Sequence, residues 1–492
     1  GPSKGSTLKN AAFESNTFFS KKRFTALMGI SSTNPLHEIE QSFKKLGTKQ
    51  MTTQQLAQLT RYAEEEWHLV VINLSNKGFL MYDIDKRIIK PQPKMYNYIL
   101  NYEGRKDYDI LQFNSEVNRG ENAIWNLTNN DINLKGIQMF YISDSQKVAV
   151  YPKKQELLLK KNRNLVFDGI VKAGNLEFMG SNYYFDYEKF QVEMNKIDSC
   201  QIYINDESQP KDQYGEYPKI KIKSKIKDIT GVLYIDAPTN KSGANSKKYP
   251  TYPYITTTKN SFVDWESYRI QNGRYPKDKF YYKLDPFTLD SLDNFKTSNV
   301  KFNGVLVSAG IFDDIVEPLI LMDDNSLGFK RSTGVAGYPA YRGFSNVVAD
   351  LTLNYSGLQG KGKLTYLTSK TESDAFVFLP DETKGKTTSY TLAEKSTKPE
   401  VPKTSVAVAQ INYFPKQERL MITTIDEPMV FFEKEATFKG ATTLKPEGLS
   451  GKGKMEFYGA TLSSDHFKYD RRKINADTSA LTIAGKDLSN AL

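Results

Sequence analysis

Residues 357–366 read GLQGKGKLTY, and residues 448–457 repeat the pattern as GLSGKGKMEF. The match continues without a gap, so that four residues of one copy, Ser373, Asp374, Phe376 and Phe378, fall opposite Ser464, Asp465, Phe467 and Tyr469. A repeat of this kind marks a duplicated structural unit. We therefore predict two related units, at about residues 344–380 and 436–470.

The glycines of the repeat also suggest a phosphate-binding loop, but the neighbouring residues argue against one. Gly357, Gly362 and Lys363 have the spacing of a P-loop, yet Leu364 replaces the Ser or Thr that would hold magnesium. Met455 breaks the second copy at the same place, and a strand-like run follows where a helix is required. The repeat instead predicts a β turn, or a strand whose small residues allow close backbone approach.

The composition favours strands over helices. The chain has 492 residues, enough for about three domains at roughly 150 residues each. Its 30 Tyr and 28 Phe exclude general disorder and suit half-buried pleated surfaces. We predict a mainly β protein, in which an α+β N-terminal region precedes stacked or sandwiched antiparallel sheets. The expected divisions are a tag and flexible tail at 1–30, an α+β domain at 31–155, a β-rich domain at 156–330, and a β-rich domain with both repeat units at 331–492.

Two helices are predicted near the N-terminus. Leu36–Leu46 carries apolar residues at helical spacing, and Gly47 marks its end. Thr52–Trp67 is the clearest helix, because its apolar residues form one stripe and Thr52 and Gln55 are placed as a capping box.

The pattern then changes to strands and loops. His68–Leu74 is rich in Val and Ile, so we predict a strand there that forms a hairpin with Phe79–Asp83. Proline and polar residues predict loops at Ala237–Tyr254 and Pro380–Lys403. The second loop is long for a compact domain, so we expect it to be mobile or to wrap an edge.

Charge and cysteine content exclude several classes of protein. The net charge of +10 comes mostly from lysines spread along the chain, whereas nucleic-acid binding needs a concentrated basic stripe. The only cysteine, Cys200, is expected to be a buried, inert thiol in a strand. The sequence contains no run of 18 apolar residues, so it predicts no transmembrane segment in this fragment. Gly1–Ser6 resembles residual cloning sequence, so the lack of a visible signal peptide does not exclude export.

No motif points to a catalytic or metal centre. His37, His68 and His466 lie far apart and lack the spacing of zinc ligands. Asp323–Gly328 is the best calcium-loop candidate, but Leu327 occupies a ligand position, which leaves an irregular calcium loop or an ordinary polar turn. No Gly-x-Ser-x-Gly elbow selects a triad. We predict no catalytic residues, no cofactor and no metal.

Carboxylates stand beside aromatic residues in three places. These are Asp186 near Tyr184 and Tyr187, Asp264 and Glu266 around Trp265, and Asp285 and Asp290 around Phe287. A glycosidase needs two carboxylates about 5–10 Å apart, and aromatic platforms bind sugar rings. The favoured interpretation is aromatic strands that pack together with exposed acids between them.

Several short segments of the sequence resemble those of a known group of proteins. These are Glu65–Val70, Leu157–Asn164, Asp285–Asp293, and the two Gly-Leu-x-Gly-x-Gly copies with Ala476–Thr478. In them the chain resembles large, mostly uncharacterised, exported β-rich envelope proteins of Bacteroidota-type bacteria. The resemblance covers most of residues 31–485. It implies a periplasmic or surface location and a longer parent protein, and it carries over no catalytic residues.

The leading hypothesis is a non-enzymatic structural or interaction segment of a large cell-envelope protein, with other envelope or surface proteins as partners. The alternatives are a polysaccharide-binding or polysaccharide-degrading protein and a lipid-handling β groove. A lectin should expose a flat row of aromatics, and a lipid carrier should show a long apolar groove. A scaffold should bury the large repeat residues, namely Leu364, Tyr366, Phe376, Met455, Phe457 and Phe467.

Overall fold

The computed structural model describes residues 9–14, 34–105, 107, 111–213, 215, 217–243, 245–296, 298 and 300–483. Strands hold 50% of the chain and helices 13%, which confirms the predicted mainly β fold with an α+β beginning. The chain forms two compact units, one from Gly1–Ile202, Asp228–Lys259 and Thr288–Phe295, the other from Tyr203–Lys227, Asn260–Phe287 and Lys296–Leu492. The predicted boundaries at residues 156 and 331 stay predictions.

The described residues of the first unit contain four α-helices: α1 (Pro35–Leu46), α2 (Thr53–Thr60), α3 (Glu64–Asn76) and α4 (Pro93–Tyr102). The predicted first helix and its end are confirmed, because Gly47 adopts the left-handed conformation that closes α1. The predicted capping box is also confirmed, since Thr52 and Gln55 bond each other's backbone at the start of α2.

Two predictions for this region are wrong. The single helix Thr52–Trp67 is interrupted where Arg61 turns left-handed, and α3 starts afresh at Glu64. The segment His68–Leu74 is helical, not a strand, because it continues α3 and buries Trp67, Val71 and Leu74 at helical spacing in the helical core.

In the part of the chain before residue 203 that the structure describes, thirteen strands begin. Their bounds are β1 Lys9–Glu14, β2 Met51–Thr52, β3 Leu80–Asp83, β4 Ile88–Pro91, β5 Gln112–Val117, β6 Ala123–Asn126, β7 Asp131–Lys135, β8 Phe140–Ser143, β9 Val148–Pro152, β10 Glu156–Leu159, β11 Leu165–Ala173, β12 Leu176–Asp186 and β13 Gln191–Asn205. The predicted hairpin of His68–Leu74 with Phe79–Asp83 is therefore wrong, because β3 pairs with β4 instead. Strand β1 pairs with β5. The rest of the predicted 1–30 tail lies outside the described residues.

The larger sheet of the first unit is antiparallel throughout. Its strands follow the order β6-β7-β10-β11-β12-β13, and β9 also pairs with β11 and with β8. Aromatic side chains of this sheet form a row in which the rings of Phe140, Phe167 and Tyr183 contact one another in sequence, and Phe113 of β5 packs against Phe140 at the end of the row. Cys200 is buried in β13, as predicted.

Twelve shorter strands follow. Their bounds are β14 Lys219–Lys221, β15 Ile226–Tyr234, β16 Tyr254–Thr257, β17 Ser261–Asp264, β18 Phe280–Leu284, β19 Thr288–Leu289, β20 Lys301–Phe302, β21 Gly304–Ser308, β22 Ile315–Val316, β23 Leu319–Leu321, β24 Leu327–Ser332 and β25 Tyr338–Ala340. In the first unit β16 pairs with β15 and β19. In the second unit, β17, β18, β21 and β22 pair in that order.

The internal repeat is a duplicated three-stranded meander. The first copy is β26 (Ser345–Asn354), β27 (Gly357–Tyr366) and β28 (Ser369–Leu379). The second copy is β35 (Ala436–Lys445), β36 (Gly448–Phe457) and β37 (Ala460–Tyr469). Both copies shift register at the same place, between Gly360 and Gly362 in one and between Gly451 and Gly453 in the other. The duplication seen in the sequence is thus a duplication of pairing geometry.

The repeat glycines allow the close backbone approach that the sequence predicts. Gly362 has φ 154°, and a Cβ placed on it would lie 2.2 Å from the carbonyl oxygen of Val348. Gly453 has φ 156°, and its Cβ would lie 2.2 Å from the carbonyl oxygen of Lys439. No other residue fits between the strands at these positions without moving the backbone.

A closed ring of strands connects the two copies. The six added strands are β29 (Glu382–Lys386), β30 (Ser389–Leu392), β31 (Thr404–Val406), β32 (Ala409–Phe414), β33 (Arg419–Thr424) and β34 (Met429–Phe431). From β28 one path of pairing runs through β29, β32 and β33 to β35, and another runs through β30, β31 and β34 to β35. Eight strands therefore close on themselves, and side chains such as Tyr390, Ile411 and Phe438 are buried.

The predicted loop Pro380–Lys403 is wrong over its first half, which contains β29 and β30. Its Thr, Lys and Gly residues show little apolar period, but Thr383, Tyr390 and Leu392 are buried. Pairing with strands that are distant in sequence decides the structure here, so local composition is a poor guide.

One strand, β38 (Ile474–Ile483), extends the second copy by pairing with the whole of β37. Five of the six repeat residues expected to be buried are so, and Phe457 is half-buried.

Candidate functional site

The repeat glycines and lysines form part of a strand, not a phosphate-binding loop. Gly357–Leu364 lies in β27, and Lys363 faces Glu372 on the neighbouring strand, with 3.5 Å between Nζ and Oε1. Lys361 pairs in the same way with Asp374 at 2.9 Å. These side chains are neutralised by carboxylates across the sheet and do not converge on a common point.

The histidines and the cysteine occupy separate positions. His37 packs its ring against Tyr102, and Nδ1 of His68 lies 2.6 Å from the hydroxyl of Tyr82 on β3. His466 is exposed on β37. Burial raises the pKa of the Cys200 thiol, which disfavours the nucleophilic thiolate. Among the residues that the structure describes, no three His, Cys, Asp or Glu side chains come together as metal ligands.

The calcium-loop candidate forms a turn between β23 and β24. Asp324 accepts hydrogen bonds from the backbone and hydroxyl of Ser326 and from the backbone N–H of Tyr355. Asp323 pairs with Lys330 at 3.2 Å. Both carboxylates therefore have partners that account for their presence in a polar turn.

The carboxylate–aromatic groups named from the sequence do not form exposed platforms. Trp265 is buried and donates from Nε1 to the carbonyl of Asn354, and the flanking Asp264 pairs with Lys227 at 2.6 Å. Tyr187 is buried, and Asp186 next to it accepts the backbone N–H of Lys189. Phe287 packs edge-on against the ring of Phe302. Structural roles explain these aromatics.

A different aromatic group lies on the surface of the first unit. We call Tyr234, Tyr249, Tyr252 and Tyr254 the tyrosine platform; all four are half-buried. Tyr234 and Tyr254 face each other on β15 and β16, with nearly parallel rings 4.5 Å apart. Tyr252 meets Tyr254 at an angle of 62°, and Tyr249 meets Tyr252 edge-on. Consecutive ring contacts thus form one partly exposed aromatic surface.

A buried carboxylate supports the loop that carries this platform. Asp236 follows Tyr234 in the chain, is 1% exposed, and accepts hydrogen bonds from the amide groups of Gln146 and Asn240. Burial raises the pKa of Asp236 although these hydrogen bonds oppose the change. Burial, with smaller contributions from Tyr254 and the charge of Asp236, raises the pKa of Tyr252 to about 12. Tyr252 is therefore a neutral phenol at physiological pH.

A cluster of tyrosines in the sequence indicates this platform, although none of the predicted sites included it. Residues 249–254 read YPTYPY, which places three tyrosines in six positions within the predicted loop Ala237–Tyr254. The groups predicted from the sequence each combine an aromatic residue with an acid close by in the chain, which this stretch lacks. The fourth tyrosine reaches the group only through the pairing of β15 with β16.

A second surface of interest lies at the end of the second repeat copy. We call Phe457, Tyr458, Leu462, Leu481 and Ile483 the open tip. Leu462 faces Leu481 across β37 and β38, and Tyr458 is 80% exposed. Both faces of β38 are exposed from Asp477 to Ile483. Apolar side chains therefore project from a single layer of sheet.

The same positions of the first copy are covered. Tyr366, the counterpart of Phe457, packs against Tyr413 and donates its hydroxyl to the carbonyl of Glu418. Thr371, the counterpart of Leu462, is fully buried and faces Tyr390 on β30. The closed ring supplies this cover, and the described residues contain no equivalent cover for the second copy.

A serine in each copy shows how far the equivalence extends. Ser373 donates its hydroxyl to the carbonyl of Lys386, at the end of β29, and Ser464 donates to the carbonyl of Asp477 in β38. After Lys386 the chain leaves β29 and begins β30, and after Asp477 the backbone turns left-handed at Thr478. The first half of β38 thus corresponds to β29, and its second half corresponds to β30.

Comparison with known proteins gives no relative. No family model, no curated protein and no solved structure matches the chain. Within the described residues, no helix combines the length and apolar character needed to cross a bilayer.

Proposed function

We propose that the chain is a non-enzymatic structural or interaction segment of a large bacterial cell-envelope or surface protein. The observation that supports this proposal is the ladder from β20 to β38, in which seventeen strands are joined by hydrogen bonding. Five of the six large repeat residues are buried, and the repeat lysines Lys361 and Lys363 pair with carboxylates of the neighbouring strand. Continuous pairing of this kind makes a rigid support, and the strands outside the closed ring provide edges for contact with other proteins.

The location in the periplasm or on the surface of a Bacteroidota-type cell is part of the same proposal. It is supported by the sequence phrases that resemble envelope proteins, such as Leu157–Asn164 and Asp285–Asp293. An antibody raised against the purified chain, applied to fractions of the native cells, tests it. We expect the signal in the envelope fraction and on a polypeptide larger than 56.0 kDa. A cytosolic signal at the size of the chain would contradict the proposal.

A second candidate function, polysaccharide binding, is favoured by the tyrosine platform. Half-exposed rings offer apolar faces to sugar C–H groups, and the neutral phenol of Tyr252 can exchange hydrogen bonds with sugar hydroxyls. The polysaccharide-degrading form of this alternative further needs two converging carboxylates. The lipid-handling alternative needs a long apolar groove, whereas a cleft of about 460 Å³ on the second copy is lined by Lys452, Ser463, Asp465 and other mainly small or polar residues.

Glycan-array screening followed by titration calorimetry tests the polysaccharide alternative. If the platform binds a glycan, Tyr254→Ala removes the central ring and weakens binding at least tenfold. The matched control is Tyr268→Ala, since Tyr268 is 80% exposed in the second unit and lies outside the platform. Absence of saturable binding to any glycan, or equal effects of both variants, would reject this candidate.

A further inference from the structure

One segment of the second unit carries a regular row of lysines. Residues 219–227 read KIKIKSKIK, and we call the five lysines the lysine stripe: Lys219, Lys221, Lys223, Lys225 and Lys227. Four of these lysines are exposed and Lys227 is half-buried, whereas Ile222, Ser224 and Ile226 between them are buried. The lysine side chains therefore share the outer face of the segment, and nine extended residues span up to about 26 Å.

Hydrogen bonds from the rest of the second unit hold the segment in place. At one end, β14 pairs antiparallel with the last residues of β13. In the middle, the backbone N–H of Lys223 donates to the carbonyl of Asn325, and the hydroxyl of Ser224 accepts the N–H of Leu327. The inner face of the segment is occupied by these contacts, so only the face with the lysines is open to a partner.

The centre of the stripe has no acidic partner within the described part of the chain. Asp264 pairs with Lys227 at 2.6 Å, at the end of the stripe. No described residue forms an ion pair with the three central lysines: Lys221, Lys223 and Lys225. Three lysines of the repeat copies differ, since each pairs with a carboxylate on the neighbouring strand: Lys361, Lys363 and Lys452. Like charges on one face repel, so the stripe opposes folding unless an anion neutralises it.

We propose that the lysine stripe binds an acidic polysaccharide that lies along residues 219–227. This inference rests on the proposed interaction function and names the chemistry of one partner. A linear polymer with repeated carboxylates can contact all the ammonium groups of the row at once, whereas a small anion reaches one or two of them. Lysine ammonium groups also donate hydrogen bonds to sugar hydroxyls.

The aromatic rings beside the stripe favour a polysaccharide over a single-stranded nucleic acid. Sequence-independent binding of single strands uses exposed rings on which the bases stack. Here Nζ of Lys223 lies over the ring of Tyr355, 5.3 Å from its centre. Phe262, which is opposite Lys227, packs edge-on against Tyr281. These rings are engaged within the protein, and the stripe contains no arginine for contacts with base edges.

Fluorescence anisotropy with labelled polygalacturonate, an acidic polysaccharide, tests the proposal. The wild-type chain should bind this polymer at low salt, and the fully methyl-esterified polymer should bind at least tenfold more weakly. Esterification removes the carboxylate charges and keeps the sugar backbone, so the difference measures the charge contribution. The affinity for polygalacturonate should fall as the salt concentration rises, because salt screens exposed charges.

Substitution of the three central lysines locates the binding surface. The triple variant Lys221→Gln, Lys223→Gln, Lys225→Gln should bind polygalacturonate at least tenfold more weakly and with a smaller salt dependence. The corresponding triple arginine variant keeps the charges and should bind as the wild type does. Circular dichroism verifies that both variants are folded.

The matched control removes three charges from lysines that already have carboxylate partners. It is the triple variant Lys361→Gln, Lys363→Gln, Lys452→Gln, which changes the net charge by the same amount. Its affinity for polygalacturonate should change less than threefold. An equal loss in the control and in the stripe variant would show that net charge, not the stripe, determines binding.

The outcomes separate this inference from the proposed function. A wild-type chain that does not bind polygalacturonate, or binds the esterified polymer equally well, overturns the inference. Tighter binding of a thymidine oligonucleotide with the same number of charges overturns the polysaccharide as the partner. Each of these results leaves the envelope proposal to be decided by cell fractionation, whereas a cytosolic protein that binds polygalacturonate through the stripe removes only the envelope proposal.

Discussion

The two copies of the meander share a sequence pattern, a register shift and a bridging serine, yet they differ in their surroundings. The first copy runs from β26 to β28 and passes into the closed ring, which buries Tyr366 and Thr371. The second copy runs from β35 to β37 and passes into β38, where Leu462 is half-exposed. The third strand of the meander can therefore pair either with two strands of the closed ring, as β28 does with β29 and β30, or with a single long strand, as β37 does with β38. The difference leaves the edge of the second copy more exposed than the edge of the first.

The largest expected effect comes from the repeat glycines. Gly362→Val forces a side chain against the carbonyl oxygen of Val348 and should lower the free energy of unfolding by about 3–5 kcal/mol. Gly453→Val makes the same clash with Lys439, but the second copy has fewer covering strands and more freedom to relax. We expect the smaller loss there, measured by urea denaturation.

The control for this comparison is Gly334→Val. Gly334 also has a positive φ, 69°, but no atom lies within 4 Å of a Cβ placed on it. It therefore reports the backbone strain alone, about 1–2 kcal/mol. Equal losses in all three variants would show that strand contact contributes nothing at the repeat positions.

A tyrosine outside the repeat clamps the first copy alone. Tyr275 is buried, donates its hydroxyl to the carbonyl of Phe378 at 2.7 Å, and accepts the N–H of Leu358. Tyr275→Phe should lower the free energy of unfolding by about 1–3 kcal/mol, because both backbone groups lose a buried partner. Denaturation of Tyr268→Phe, which changes an exposed hydroxyl, should match the wild type. If Tyr275→Phe leaves the free energy of unfolding unchanged, the two hydrogen bonds of Tyr275 do not contribute to stability.

The bridging serines allow the two copies to be compared directly. Ser373→Ala and Ser464→Ala each remove a hydroxyl that bonds the next strand, and each should cost about 1 kcal/mol. The two variants should differ in amide hydrogen exchange. Loss of Ser464 should speed exchange mainly in β38, while loss of Ser373 should affect several strands of the ring. Identical, local exchange patterns would contradict the difference in surroundings.

The smallest expected effect concerns the charged faces of both copies. Lys361 pairs with Asp374 at 2.9 Å, and Lys452 pairs with Asp465 at 3.0 Å, all on exposed side chains. Lys361→Ala and Lys452→Ala should each change the free energy of unfolding by less than about 0.5 kcal/mol. A double-mutant cycle with the partner aspartate measures the coupling. A large coupling in one copy only would reveal a difference that the geometry does not show.

Local signals in the sequence predicted the elements that local forces determine. Asn34 and Gly47 bound α1 because a side-chain cap and a left-handed glycine act within one turn. The repeat predicted the meanders, because both copies keep the same glycines at the register shift. The run of Val and Ile after Trp67 misled the assignment, since a short apolar run suits a strand and a buried helix equally. Glu64, Glu65 and Glu66 were the missed sign of a helix start.

Non-local pairing accounts for what the sequence did not predict. The ring closes only because β28 pairs with β29 and β30 at different ends, a contact that no local pattern encodes. The tyrosine platform likewise needs Tyr234 and Tyr254, twenty residues apart, to face each other. The open tip likewise depends on tertiary structure, since Leu481 is 57% exposed while its counterpart Tyr390 is 1% exposed.

The closed ring between the copies has a mechanical consequence. A strand at an open margin can be peeled from its neighbour one hydrogen bond at a time, so tension applied through Ile483 would detach β38 progressively from β37. The ring offers no such margin, because every one of its eight strands is held on both sides, and tension must rupture several bonds together. Under applied force, β38 would therefore separate from the second copy first, and the closed ring would resist unfolding to higher force.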